Sequence, residues 1–150
     1  MQKSIYDYAN EIDSSKHISF YDVFKALLKD VDCIICKESA TDLLGFSNGG
    51  FRNKIKVYTS QKYDYPYLDC YVVDDLKSIP YEIHNELKVT PIENTMIDLL
   101  NDDLSDSQII TETFANYYYE NDNSYSKINP PKNLVKKFDY YKKEGINYYE

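Results

Sequence analysis

"GFSNGGFRNKIKVYTS", residues 45–60, decides the fold: it holds three of the chain's four glycines and its only arginine, Arg52. Upstream, "KESATDLLGF" (37–46) reads as a brief helix, stopped where Gly45 supplies the left-handed residue that helix ends favour. Downstream, "NKIKVYTS" (53–60) alternates, with Ile55 and Val57 on one face and Lys54 and Lys56 on the other, the pattern of a half-buried strand. Between them, Asn48 and Gly49 tolerate the positive φ a tight turn requires. A phosphate-binding P-loop needs the opposite order. Its glycines lie between a strand and a helix, so that backbone N–H groups at the helix start face the phosphate. Gly45 and Gly50 have the P-loop separation, but Phe51 and Arg52 follow where Lys and Ser or Thr belong. A dinucleotide fingerprint fails too, because no glycine stands two positions after Gly45. The stretch is a mechanical turn, and Arg52 is a candidate partner contact, since arginine is enriched among interface anchors.

Working outward, "DCIIC" (32–36) is an apolar, β-branched run suited to a buried strand. "SFYDVFKALLKD" (19–30) places Phe20, Val23, Phe24, Leu27 and Leu28 on one helical stripe, with Ser19 as N-cap and Asp22 near the positive helix end. "SIYDYANEI" (4–12) suggests a preceding helix. "YLDCYVVDD" (67–75) and "YEIHNELKVT" (81–90) read as further strands on either side of the turn-like "DLKSIP". In "TPIENTMIDLLND" (90–102), Thr90 is placed to cap, Pro91 to occupy the first helical position and Glu93 to complete a capping box. A helix starting near Ser105 or Asp106 carries Ile109, Ile110, Phe114 and the tyrosines 117–119. The last, "KNLVKKFDYYKKEG" (132–145), turns Leu134, Phe138 and Tyr141 inward and stops at Gly145. The expected fold is a single α+β domain. A small mixed or antiparallel sheet of about four to five strands packs with about five helices. Residues 1–30 form a helical segment ahead of one compact unit, 31–150.

The length of 150 residues fits one domain that can bury roughly 70% of its unfolded surface without a metal or disulfide staple. Charge is uneven. Fourteen acids face two lysines between Asp64 and Asp122, a net −12 within a chain of net −8, whereas residues 33–63 and 123–150 each carry +3. An acidic centre repels phosphate backbones, so nucleic acid should not dock there. No stretch reaches the ~20 apolar residues of a membrane span, and the start lacks the apolar core of a secretion signal. Three cysteines, an odd number, suit a reducing cytosol, and a cytoplasmic location is expected.

Groups with chemical potential do not assemble into a recognisable site. Cys33 and Cys36 form a C-x-x-C, but zinc wants four ligands and only Cys70 and His84 could complete the set. On a strand the two thiols would face opposite ways, and buried, inert cysteines are the reading adopted. His17 and His84, the only histidines, define no triad. "DLLNDDLSD" lacks calcium-loop spacing, and Asp74-Asp75 is adjacent rather than D-x-D. No catalytic residue, cofactor or metal ligand is assigned. The partner-contact candidates are Arg52, Lys54, Tyr67, Tyr71, Asp98, Asp102 and Asp103. The acidic centre, with Tyr65, Tyr67, Tyr71 and Tyr81, would suit a basic cleft, where complementary fields orient docking.

The order of these elements resembles the C-terminal domain of abortive-infection AbiEi-type antitoxins. Ser39-Ala40 and Leu44-Gly45-Phe46 are similar to that family's Ser-Ala helix ending in Leu-Gly-Leu. Thr90-Pro91, Glu93, Thr95 and Ile97-Asp98-Leu99 are similar to its Thr-Pro, Glu-Arg-Thr and aliphatic-Asp-aliphatic helix, with Asn94 where the family prefers Arg. The resemblance spans about residues 31 to 147. It implies a non-enzymatic antitoxin paired with a nucleotidyltransferase-type toxin, in systems classed as type IV. Family members usually carry an N-terminal winged helix. Here only 32 residues precede Cys33 and they net −2, so direct DNA binding is not expected and a protein partner is. The alternative is an acidic phage or mobile-element inhibitor acting as a nucleic-acid decoy against a host defence enzyme.

Overall fold

The computed structural model describes residues 3–12, 19–48 and 54–149. Arg52 and His17 lie outside the described residues. In chain order, α1 (Ile5–Ile12) and α2 (Phe20–Leu27) precede β1 (Cys33–Ile35), α3 (Lys37–Leu43), β2 (Ile55–Thr59) and β3 (Leu68–Val72). Then come β4 (Glu82–His84), β5 (Leu87–Val89), α4 (Ile92–Leu100), α5 (Ser107–Glu120) and α6 (Val135–Asn147), with 3₁₀ turns at Leu76–Ser78 and Lys132–Leu134. The strands form one mixed sheet in the order β3-β2-β1-β5-β4. β1 runs antiparallel to β2 and parallel to β5, β2 parallel to β3, and β4 antiparallel to β5. This is a single small α+β domain.

One face of the sheet is apolar because Ile35, Ile55, Val57, Leu87 and Val89 all point to it, and α1 and α2 cover it with Ile5, Ala9, Val23, Phe24 and Leu27. The amino-terminal helices therefore share the sheet's core. Ser19 caps α2 as its sequence suggests, its side chain accepting from the Asp22 N–H at 3.3 Å. Burying Leu27 there contributes about 2 kcal/mol relative to exposure. A second apolar cluster joins α4, α5 and α6 through Met96, Leu99, Ile110, Phe114, Tyr117 and Phe138. Phe114 lies at its centre, its ring 5.7 Å from those of Tyr125 and Phe138 and 5.8 Å from that of Tyr141.

Three local expectations are corrected. "YEIHNELKVT" is a hairpin rather than one strand, because Asn85 (φ 47°) and Glu86 (φ 72°) both adopt the left-handed conformation that a two-residue turn demands. No capping box forms at Thr90. Pro91 stands at the N-cap without a side-chain cap, the Thr90 hydroxyl bonds to that of Thr95 at 2.6 Å, and Glu93 accepts from the Tyr117 phenol at 3.0 Å. Gly145 does not stop the last helix, which runs on to Asn147. It is the point of closest approach: an added Cβ would lie 2.7 Å from Tyr125 Oη, 2.9 Å from Phe114 Cβ and 3.0 Å from the Ala115 nitrogen. Gly45, by contrast, does end α3, with φ +83°.

Candidate functional site

The second face of the sheet is polar, and there the two sequence motifs around Ser39 and Asp98 meet. Pairing of Ile34 with Tyr58 and of Tyr58 with Tyr71 sets these side chains in a row across three strands. Helix α3 leaves β1 directly above that row. Cys36 is extended, and Lys37 takes φ +54°, a left-handed conformation that costs a lysine on the order of 1 kcal/mol. The turn brings Lys37 back over the sheet. Its ammonium lies 4.8 Å from the centre of the Tyr71 ring and 3.3 Å from Asp102 Oδ2. That last contact is an ion pair without the direction of a hydrogen bond, as Asp102 Oδ2 has no hydrogen-bond donor among the described residues. Asp102 Oδ1 accepts from the Leu104 N–H at 2.9 Å.

Neighbouring groups close the remaining gaps. Lys56 Nζ donates to Glu38 Oε2, and the Ser105 hydroxyl donates to Glu38 Oε1 at 3.1 Å. The Lys56 N–H donates to Ser39 Oγ at 2.8 Å, and the Tyr58 phenol to Asp98 Oδ2 at 3.1 Å. Strand β2 is thus tied to α3 by Ser39 and Glu38 and to α4 by Asp98, while Lys37, through Asp102, and Glu38, through Ser105, tie α3 to the turn between α4 and α5.

Electrostatics follows from this burial. Burial raises the Asp98 carboxyl above the ordinary 3.8, against the opposing Tyr58 hydrogen bond and the Lys37 charge. Asp102 goes the other way: burial pushes it up, but the Leu104 N–H and Lys37 outweigh that and hold it below 3.8. Burial also pushes the Tyr58 and Tyr71 phenols well up, the nearby carboxylates adding to it. The Cys33 thiol is pushed up to about 12 and the Cys36 thiol well above its ordinary value, mainly by burial. Neither cysteine is a thiolate at neutral pH, the form that attacks or binds metal. Among the described residues no group of three or more His, Cys, Asp or Glu could hold a metal ion. Chemically, this constellation cross-links layers.

Of the residues singled out from sequence, Tyr71, Asp98 and Asp102 meet here. Lys54 is exposed just before β2. Asp103 points outward and pairs with Lys137 at 3.1 Å. Tyr67 belongs to the core: it is only 6% exposed and packs on Tyr8 at 5.5 Å, leaving little for a partner. Sequence reasoning missed Lys37, Glu38, Lys56, Tyr58 and Ser105. The alternation of β2 did put Lys56 off the apolar face, and the same count continues to Tyr58. Nothing local foretold the left-handed Lys37. No helix among the described residues is long and apolar enough to cross a membrane. No family model, curated protein or solved structure matches the chain.

Proposed function

We propose that this chain is a binding protein of antitoxin type that counters a nucleotidyltransferase-type toxin through its acidic surface, without turning over a substrate itself. The observation that carries the reading is the use made of the antitoxin-like positions. Ser39 and Asp98 each hold strand β2 through one hydrogen bond, at 2.8 and 3.1 Å, and Gly45 ends a helix. Those positions build a scaffold. What a scaffold of net charge −8 presents to a partner is its surface, and the charge is concentrated in the 64–122 block. A field of this sign speeds encounter with a basic cleft and keeps polyphosphate backbones away.

The test is co-expression with the product of the adjacent reading frame in a host which that product arrests. Restored growth together with co-purification is the expected result. Growth arrest that persists with the chain abundantly expressed would remove the reading. If the chain instead relieves an unrelated nucleic-acid-binding defence enzyme and ignores its neighbour, the decoy alternative takes its place.

A further inference from the structure

We infer that the cavity at the open end of the sheet's polar face is the docking point for a basic, apolar-centred segment of the partner protein. The inference rests on the partner-binding reading above and adds to it the surface and the chemistry of its occupant. Helix α4 covers this face at Tyr58. Beyond it, a cavity of about 490 Å³ is lined by Asp32, Ile34, Asp74, Asp75, Tyr81 and Lys88, among others. That volume suits one or two large side chains.

The cavity has an apolar floor and an acidic wall. Ile34, 1% exposed, lies at its base. On the same face, Ile83 pairs with Lys88 across β4 and β5 and is 67% exposed, while Tyr81 is 44% exposed. These are among the large apolar side chains the fold leaves open to solvent. Three carboxylates face two ammonium groups in the lining, Lys77 and Lys88. Lys88 rests 5.1 Å from the centre of the Tyr81 ring, which partly occupies that lysine and leaves the carboxylates of the lining in excess. Charge complementarity therefore selects Lys or Arg flanking an aliphatic residue.

The experiment titrates the full chain, isotopically labelled, with a blocked Lys-Arg-Leu-Arg-Lys peptide and follows backbone amide shifts. Expected are saturable shifts clustered at Ile34, Ser60, Leu76 and Tyr81, and at least tenfold weaker binding in the variant Asp32→Lys with Asp74→Lys. Asp75 is spared because it caps the 3₁₀ turn, accepting from the Lys77 N–H at 3.1 Å. A control of equal charge change elsewhere, Glu120→Lys with Glu144→Lys, should bind within twofold of the wild type. Equal weakening in that control, or shifts scattered over the surface, would overturn the site. In the growth assay, full rescue by the Asp32→Lys, Asp74→Lys chain would overturn this surface while leaving partner binding intact. Failure of the wild-type chain to rescue would instead remove the partner-binding reading and with it the partner as occupant, while the peptide titration would still report on the cavity itself.

Discussion

Tyr58 on β2 donates its phenol hydrogen to Asp98 on α4 at 3.1 Å, tying two elements forty residues apart in the chain. The carboxyl carries a pH signature that comes from its burial, against the pull of this bond. Asp98 is raised, so the folded protein keeps its proton to higher pH than the unfolded chain does. Its contribution is complete below the unfolded value and fades as pH rises through the folded one. Asp98→Asn, which keeps an acceptor for Tyr58 without the charge, should therefore raise the melting temperature at pH 7 by a few degrees. The gain should shrink toward pH 4. Thermal melts across that range check it, and an equal gain at every pH would contradict the assignment.

Asp102 should behave in the opposite sense. Its lowered value makes the carboxylate stabilising above about pH 4, with that contribution lost as pH falls through the folded value. Asp102→Asn should be less stable than wild type at pH 7 and converge with it in acid. Lys37→Met should cost about 2 kcal/mol at pH 7, because a half-buried carboxylate then loses its cation. Urea unfolding midpoints report both variants.

Gly145→Ala should destabilise in spite of alanine's higher helix propensity. Alanine gains about 1 kcal/mol in a helix interior, but its Cβ would meet Phe114 Cβ at 2.9 Å and the Ala115 backbone at 3.0 Å. Overpacking of this kind costs about 1–3 kcal/mol, and the backbone atom cannot swing away. A stability equal to or above wild type, read by denaturant unfolding, would show that α6 can shift from α5.

Leu27→Asp should unfold or aggregate the protein. Leu27 is 2% exposed in the cluster that joins α2 to the sheet, and a lone carboxylate there has no partner. Circular dichroism and size-exclusion chromatography check it, and a wild-type melting curve would mean that α2 is not packed.

The apolar half of this fold was legible because periodicity reports burial directly. Ile55 and Val57 alternate onto one face, and the stripe from Phe20 to Leu28 marks α2. The polar half was legible only in pieces. Asp98 stands out as a carboxylate on an apolar helix and Asp102 just beyond its end, but their partners Tyr58 and Lys37 come from a strand and the start of another helix, positions that only tertiary packing selects. The hairpin at Asn85 was hidden because glutamate, an unfavourable left-handed residue, fills the place usually taken by glycine. Gly145 misled for a related reason. A glycine near a helix end reads as a stop, whereas its lack of a side chain serves the contact between α5 and α6.

The most direct test is isothermal titration of the purified chain into the purified product of the adjacent reading frame, with nucleotide turnover assayed on each protein alone. The account expects a saturable heat and a stable complex, and no nucleotide consumed by this chain. Absence of binding heat, with nucleotide turned over by this chain alone, would contradict it.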